Sequence, residues 1–250
     1  MSSLTLRWGL RTDIGRTRRI NQDAAMANGD LFVVADGMGG HRGGEVASDI
    51  AVGHFRTRAS VPDVDELTEA VVEANRQIRA RADLDPSLRG MGTTVVALAT
   101  VVDTVGPPSF AAANVGDSRI YRLDAEGLTQ LTEDHSLVAE LTRAGQITEV
   151  EAAHHPKRNV LTRALGVDDH VAVDRWLFPI EAGDRYLLCS DGLINEVSDL
   201  AIEHILRQAP EPVQAAERLV DMANASGGRD NITVVVVDVD EVSGCEAEET

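Results

Sequence analysis

Carboxylates repeatedly border apolar stretches in this sequence, and glycine usually stands beside them. The segment LFVVADGMGGH, residues 31–41, ends its apolar run in Asp36-Gly37, and YLLCSDGL ends another in Asp191-Gly192. One Asp-Gly pair by itself most often marks a turn. Several such junctions in one chain instead predict that strand ends bring carboxylates together. The other members are Asp23 in RINQDA, Asp117 in AAANVGDSR and Asp230 in GGRDNITVVVV.

Aspartates gathered at one sheet edge would repel one another by several kcal/mol unless a cation lies among them. Oxygen donors without His or Cys suit Mg²⁺ or Mn²⁺ rather than Zn²⁺. The adjacent glycines allow tight turns and let a backbone carbonyl approach an ion. We therefore predict that the partner of the Asp36 carboxylate is a divalent metal ion.

The length and composition indicate one domain with an aliphatic core, and the net charge disfavours anionic partners. The 250 residues fit one large domain, and 43% hydrophobic but only 3% aromatic residues predict a core of aliphatic side chains. The formal net charge of -18 argues against nucleic acid or an anionic membrane surface as the main partner. A phosphorylated, anionic substrate would need local positive charge at its site.

The cysteines and the hydropathy pattern predict a soluble, cytoplasmic protein. Cys189 lies in an apolar run and Cys245 in an acidic stretch, which disfavours a disulfide framework and fits a reducing compartment. The N-terminus lacks an apolar leader, and no uninterrupted apolar stretch approaches the roughly 18–20 residues of a membrane span.

The apolar periodicity predicts an α+β fold. Consecutive strand-like runs are separated by gaps too short for helical crossovers, which favours antiparallel pairing and, at Gly116-Asp117, a tight hairpin. Amphipathic helices covering such sheets indicate a layered sandwich. The predicted strands are Leu31–Ala35, Thr94–Val102, Phe110–Val115, Arg119–Leu123, Tyr186–Ser190 and Ile232–Val239. The predicted helices are Glu45–Phe55, Asp65–Ala82 and one from Pro212 to the glycines at 227–228.

One segment departs from the sandwich pattern. Ser136–Asn159 contains a short helix ending at Gly145 and a capping-box pattern, Thr148-x-x-Glu151, so we predict a compact helical flap. Residues 241–250 are predicted to be an acidic, disordered tail. Residues 1–240, flap included, would then form a single domain.

The motifs, taken together and in order, resemble the bacterial branch of the metal-dependent Ser/Thr protein phosphatases of type 2C, the PPM family. The matching stretches are Asp13-x-Gly15-x-x-Arg18-x-x-Asn21-Gln22-Asp23, VVADGMGGHRGGEVAS, MGTTVV, ANVGDSRIYRL, LTEDHS, NVLTRALG, LLCSDGL and GGRDNITVVVV. They extend from residue 13 to about residue 239, nearly the whole chain. Each stretch alone is weak evidence, whereas the ordered set is highly specific.

The resemblance implies a fold and a site. The fold is a four-layer αββα sandwich of two antiparallel sheets flanked by helix pairs, with a dinuclear metal centre at one end. By analogy, Asp36 bridges the two ions and the Gly37 carbonyl contacts one of them. The remaining implied roles are Asp191 and Asp230 as ligands of the other ion, Asp117 on a third ion shared with Asp191, Asp23 near the second ion, and Arg18 on the substrate phosphate.

The resemblance also implies the reaction. Two or three Mn²⁺ or Mg²⁺ ions serve as cofactors, and a hydroxide bridging two of them attacks the phosphorus in line with the Ser or Thr leaving oxygen. Arg18 and the ions neutralise charge on the phosphoryl oxygens. The implied partners are Ser/Thr-phosphorylated proteins and a cognate Hanks-type kinase. The enzyme is expected to act as a monomer, without nucleic acid or membrane.

One position departs from the eukaryotic pattern. Eukaryotic members carry a histidine, proposed as the general acid, directly after the Asp-Gly, and this chain has Met38 there. His41 is a candidate replacement, and a metal-bound water is the alternative.

Arg18 stands in an arginine run with Arg16 and Arg19, and such a run is usually a solvated face.

The same residues disfavour other phosphatase classes and a non-enzymatic function. A cysteine phosphatase needs Arg six positions after its Cys, and Cys189 leads to Asn195 there. The DxDxV pattern within Val234–Val242 matches haloacid-dehalogenase phosphatases, but it has too little chain after it to form that domain. The non-enzymatic alternative is a catalytically silent pseudophosphatase that binds phosphoproteins or a kinase. It would be expected to lack a metal aspartate, and each aspartate is present. A dedicated phosphatase for one regulatory protein stays open.

Overall fold

The computed structural model describes residues 3–39, 43–58, 61–101 and 108–243. Strands and helices of this part of the chain have the following bounds. The strands are β1 (Ser3–Asp13), β2 (Asp23–Ala27), β3 (Leu31–Met38), β4 (Gly92–Thr93), β5 (Val95–Val101), β6 (Ser109–Val115), β7 (Arg119–Leu123), β8 (Leu128–Gln130), β9 (Asp174–Pro179), β10 (Arg185–Cys189) and β11 (Ile232–Ser243). The helices are α1 (Gly43–Arg56), α2 (Val64–Leu84), α3 (Leu137–Arg143), α4 (Glu149–Ala153), α5 (Asp191–Ile194), α6 (Asp199–Gln208) and α7 (Pro212–Ser226).

These strands form two sheets, and every strand pairing is antiparallel. The first sheet has the order β1-β11-β10-β7-β8, and the second has the order β2-β3-β5-β6-β9 with β4 beside β3. Asp13 pairs with Ile232, and the ladder continues to Ser3 and Ser243. The first and last strands therefore pair with each other in the first sheet, which holds both ends of the described chain in one unit.

Three apolar layers hold the sandwich together. The side chains of β3 alternate: Val33 packs toward α1 and α2, whereas Phe32 and Val34 pack toward the other sheet. A third layer, including Leu187 and Leu219, lies between the first sheet and helices α5–α7. The continuous apolar run of β3 follows from burial on both of its faces. The predicted four-layer αββα architecture is confirmed.

The helices follow the signals in the sequence. Asp63 caps α2 by accepting a hydrogen bond from the Glu66 N–H, and α7 starts at Pro212 and ends before Gly227, where φ is +152°. The predicted helices are confirmed and extend by one to two residues at most of their ends. None of the helices in these ranges is both long and apolar enough to cross a membrane.

The predicted hairpin at Gly116-Asp117 is wrong. Strand β6 pairs with β5 and β9, whereas β7 pairs with β10 and β8 in the other sheet. Gly116, with φ of +112°, instead turns the chain from one sheet to the other. Both edges of β6 already have partners, so β7 cannot pair with it. The crossing leaves Asp117 between the two sheet ends.

The C-terminal strand is longer than predicted. Strand β11 continues to Ser243 rather than ending at Val239, because β1 offers it a partner along that length. Residues 241–243 therefore belong to the sheet and not to the predicted tail. Cys245 and the remainder of that tail lie outside the described residues.

The flap contains the predicted elements. Ser136 caps α3, and Thr148 caps α4 in a complete capping box with Glu151. A β-bridge between Ser136 and Leu161, which lies two residues after the flap, brings the two ends of the flap together. These contacts build a compact unit from short helices that would not be stable alone.

Candidate functional site

Five aspartates approach one another where the two sheets meet. Asp23 and Asp36 are direct cross-strand neighbours on β2 and β3. Asp191 is the first residue of α5, separated from β10 by Ser190, and Asp230 lies two residues before β11. Asp117 lies in the crossing between β6 and β7. We call these five residues the aspartate cluster.

The electrostatics show that the members of the aspartate cluster are close in space. Burial raises the pKa of Asp36 well above its usual range, and the charges of Asp23, Asp191, Asp117 and Asp230 raise it further. Burial raises the pKa of Asp191 as well, and the charge of Asp230 raises it further. Residues as distant in sequence as Asp23 and Asp230 therefore lie close enough to influence each other's charge.

Two further members have pKa values near neutrality. Burial raises the pKa of Asp23 to about 7, although hydrogen bonds from Thr233 and Ser190 oppose the shift. Burial raises the pKa of Asp117 to about 8, and the charges of Asp191 and Asp134 add to it. A set of carboxyl groups that resists ionisation at neutral pH indicates a site built to receive positive charge.

Polar neighbours hold several of these carboxyl groups. The Ser190 hydroxyl donates to Asp23 Oδ2 at 2.8 Å, and the Asn195 amide donates to Asp191 Oδ2 at 3.1 Å. Both oxygens of Asp230 are engaged. Oδ2 accepts from Arg18 at 2.6 Å and Oδ1 accepts from the Asn231 N–H at 2.8 Å. Arg18 is thus brought to the aspartate cluster, as predicted, by contact with one of its members.

The donor chemistry fits divalent ions that prefer oxygen. Asp23 Oδ1 and Asp191 Oδ1 are buried without a hydrogen-bond partner, an arrangement that costs free energy unless another charge compensates it. Within the described ranges, no group of three or more His, Cys, Asp or Glu side chains is arranged so that it could hold a metal ion.

The backbone of Asp36 is fixed by hydroxyl side chains. The Asp36 N–H donates to Thr94 Oγ1 at 3.0 Å, and the Thr93 hydroxyl donates to the Asp36 carbonyl at 2.9 Å. Thr94 Oγ1 also shares a 2.7 Å hydrogen bond with Ser118, next to Asp117. From the sequence, a strand was predicted to begin at Thr94, but the contacts of Thr93 and Thr94 with Asp36 were not. Their two consecutive hydroxyls after a glycine were the available signal.

Gly37 permits close backbone packing beside Asp36. A Cβ on Gly37 would overlap the carbonyl groups of Gly44 and Gln22. The Gly37 N–H donates to the Gln22 carbonyl at 3.1 Å, and the Ser48 hydroxyl donates to the same oxygen at 2.6 Å. This crowding explains why the residue after Asp36 is glycine.

The histidines take different places. His135 is buried; its Nδ1 accepts from the Gly116 N–H and its Nε2 hydrogen-bonds to Asp174, both at 3.0 Å. Ser136, the next residue, caps α3. Sequence reasoning missed the buried role of His135. His41, the predicted candidate for the general acid, lies outside the described residues.

Comparisons with known proteins identify a matching family, related sequences and similar structures. Residues 15–227 match the family described as protein phosphatase 2C. The chain is 42% identical over 247 residues to the serine/threonine phosphatase stp of Listeria monocytogenes, covering 92% of this chain and 94% of that protein. The crystal structure of the Mycobacterium tuberculosis serine/threonine phosphatase PstP/Ppp is similar with a TM-score of 0.89 at 39% identity, covering 96% of this chain and 100% of that chain. The catalytic domain of PstP in complex with two manganese ions is similar with a TM-score of 0.83 at 38% identity and the same coverage.

Proposed function

This chain belongs to the protein phosphatase 2C family and is a protein serine/threonine phosphatase, and we propose that it hydrolyses phosphoserine and phosphothreonine with two or three Mn²⁺ or Mg²⁺ ions. The observation that carries the proposal is the aspartate cluster. Its members come from five separate chain positions, and burial and mutual repulsion raise the pKa of four of them. Buried carboxylates that repel one another destabilise the fold, and a purely structural role does not explain their presence.

The proposed ligands are those of the family likeness. Asp36 would be shared by two ions, with the Gly37 carbonyl on one ion and Asp191 and Asp230 on the other. Asp23 would act from the outer shell, and Asp117 would hold a third ion together with Asp191. When bound, the ions would supply an activated water as nucleophile and would neutralise charge on the phosphoryl group.

Arg18 is proposed to bind the substrate phosphate. Its guanidinium lies 2.6 Å from Asp230 and its side chain is about half exposed, at 47%. A guanidinium in that position offers several N–H donors to phosphate oxygens. Asp230 orients Arg18 beside the place where we propose that the phosphate is attacked.

The general acid and the cellular setting are further parts of the proposal. Either His41 or a metal-bound water would donate the proton to the leaving Ser or Thr oxygen, since Met38 cannot. The phosphoprotein substrates would be products of a Ser/Thr kinase, and the buried free thiol of Cys189 fits a cytoplasmic location. We propose that residues 1–240 form the catalytic domain.

The decisive experiment measures phosphate release from a phosphothreonine peptide with Mn²⁺, with excess EDTA, and from a matched phosphotyrosine peptide. We expect turnover only with the metal and a strong preference for phosphothreonine. Asp191→Asn should be inactive, whereas Asp221→Asn, an exposed carboxylate on α7, should behave as wild type. Activity that survives the chelator refutes the proposal. Peptide binding without turnover would point to the pseudophosphatase instead.

A further inference from the structure

The segment that carries Arg18 is fixed to the aspartate cluster at both ends. The Asn231 side-chain amide donates to the carbonyls of Ile14 and Ile20, each at 3.0 Å. Its Oδ1 accepts from the Gln22 N–H at 2.8 Å. Since Asn231 directly follows Asp230, residues 14–22 have a defined position beside that carboxylate. We call them the arginine loop.

Arg16 and Arg19 are the arginines of this loop that the proposed phosphate site does not use. The Arg16 N–H donates to the Gly228 carbonyl at 2.7 Å, and its side-chain stem packs close to Gly228, two residues before Asp230. Both side chains are exposed. Neither forms an ion pair with a carboxylate in the part of the chain that the structure describes.

The lack of a carboxylate partner distinguishes Arg16 and Arg19 from most of the described arginines. Most of the described arginines contact a carboxylate, as Arg119 does with Asp134 at 2.7 Å and Arg185 with Asp238 at 2.5 Å. The chain as a whole carries a formal charge of -18, which repels acidic peptides over long distances. Arg16 lies against Gly228, two residues before Asp230, and Arg19 directly follows Arg18. Two exposed, unpaired arginines on the arginine loop can therefore attract negative charge locally, against the overall repulsion.

We propose that Arg16 and Arg19 select phosphosites flanked by acidic residues, so that the preferred substrates are phosphopeptides with Asp, Glu or a second phosphate next to the phosphorylated Ser or Thr. This inference rests on the proposed function of the aspartate cluster. Arg18 binds the phosphate to be removed, and its two neighbours contact the flanking negative charges. Arginine suits this role because its planar N–H donors match both carboxylate and phosphate oxygens.

The test compares two phosphothreonine peptides that differ only in three flanking residues, which are Asp or Glu in one peptide and Asn or Gln in the other. For the wild type with Mn²⁺, we expect kcat/KM to be about fivefold higher for the acidic peptide at low salt. This ratio should fall as ionic strength rises, because salt screens exposed charges. In the double variant Arg16→Gln/Arg19→Gln, the ratio should fall to about one. Glutamine keeps the stem that packs near Gly228.

The matched control is Arg89→Gln/Arg218→Gln, which removes the same charge from two exposed arginines outside the arginine loop. It should retain the wild-type ratio. Equal kcat/KM values for the two peptides with the wild type would overturn the inference, as would an unchanged ratio in the Arg16/Arg19 variant. Failure to hydrolyse either peptide with Mn²⁺ would instead refute the proposed function, and this inference with it.

Discussion

Four of the five carboxyl groups of the aspartate cluster oppose folding when they ionise, and the same property prepares the site for positive charge. Burial and neighbouring carboxylates raise the pKa of Asp36 well above its usual range. Hydroxyl and amide groups from Ser190 and Asn195 compensate part of that cost by donating hydrogen bonds to Asp23 and Asp191. Ser190 and Asn195 therefore hold Asp23 and Asp191 in position, while the buried carboxyl groups lower the stability of the fold, as is typical of functional sites.

Asp36→Asn should separate stability from activity. The substitution removes a buried carboxyl that repels its neighbours, so we expect the free energy of unfolding in EDTA at pH 8 to rise by about 1–4 kcal/mol. Phosphatase activity with Mn²⁺ should fall by more than about 100-fold because the shared ligand is lost. Urea denaturation and phosphate release measure the two effects. Asp221→Asn, on the exposed face of α7, should change neither, and a less stable Asp36→Asn protein would contradict the repulsion argument.

The residue types of the site could be predicted from the sequence, but their supporting contacts could not. Asp-Gly junctions after apolar runs indicated Asp36 and Asp191 without any coordinates. The 3.0 Å contact between His135 Nδ1 and the Gly116 N–H joins residues 19 apart, and no local pattern marks it. Such contacts depend on how separate elements pack, which residue spacing within one element does not encode.

At the scale of elements, the crossing from β6 to β7 is what brings Asp117 near Asp191. Local turn chemistry at Gly116-Asp117 fits a hairpin equally well, and only the occupied edges of β6 decide against it. Strand β1 was also missed, although Leu4, Leu6, Trp8 and Leu10 alternate with other residues over its length. That period of two is a strand signal that could have been used. Pairing partners, in contrast, depend on the whole sheet.

His135→Ala should destabilise the crossing. The substitution leaves the buried Gly116 N–H without its acceptor, so we expect a loss of about 1–3 kcal/mol in the free energy of unfolding. Urea denaturation at pH 8 measures this, when the imidazole is neutral because burial lowers the pKa of His135. His204→Ala, at an exposed position of α6, is the matched control and should stay within about 0.5 kcal/mol of wild type. Equal stability of the two variants would show that the hydrogen bond contributes nothing.

The contact between β1 and α7 depends on a missing side chain. A Cβ on Gly9 would overlap the backbone of Val213, whereas a Cβ on Gly53 in α1 meets nothing within 4 Å. We expect Gly9→Ala to lower the free energy of unfolding by about 1–3 kcal/mol through overpacking. Gly53→Ala should raise it by about 0.4–1 kcal/mol because alanine restricts the unfolded chain. Thermal denaturation of the pair tests this, and destabilisation of both would contradict the assigned packing.

At the scale of the whole molecule, the aspartate cluster links metal binding, protons and folding. The pKa of Asp23 is raised to about 7 and that of Asp117 to about 8, so the folded protein binds more protons than the unfolded chain between about pH 4 and pH 8. Stability rises with pH only where the unfolded state binds more protons. Here the opposite holds, so the cluster lowers stability as pH rises through this window. Divalent ions that replace the protons should reverse the trend, since a ligand of the folded state stabilises it by mass action.

Thermal denaturation from pH 5 to pH 8.5 tests this linkage. In EDTA, we expect the Tm to fall as pH rises, with each group contributing up to about 1.4 kcal/mol per pH unit within its window. With millimolar Mn²⁺, the gain in Tm over EDTA should widen toward pH 8, as ions compete with fewer protons. General repulsion in a chain of charge -18 also depends on pH. The variant Asp23→Asn/Asp117→Asn distinguishes the two causes, because it keeps most of that charge but removes two of the titrating groups. Its Tm in EDTA should fall less steeply with pH than that of the wild type, and a slope as steep as the wild type's would assign the effect to overall charge rather than to the cluster.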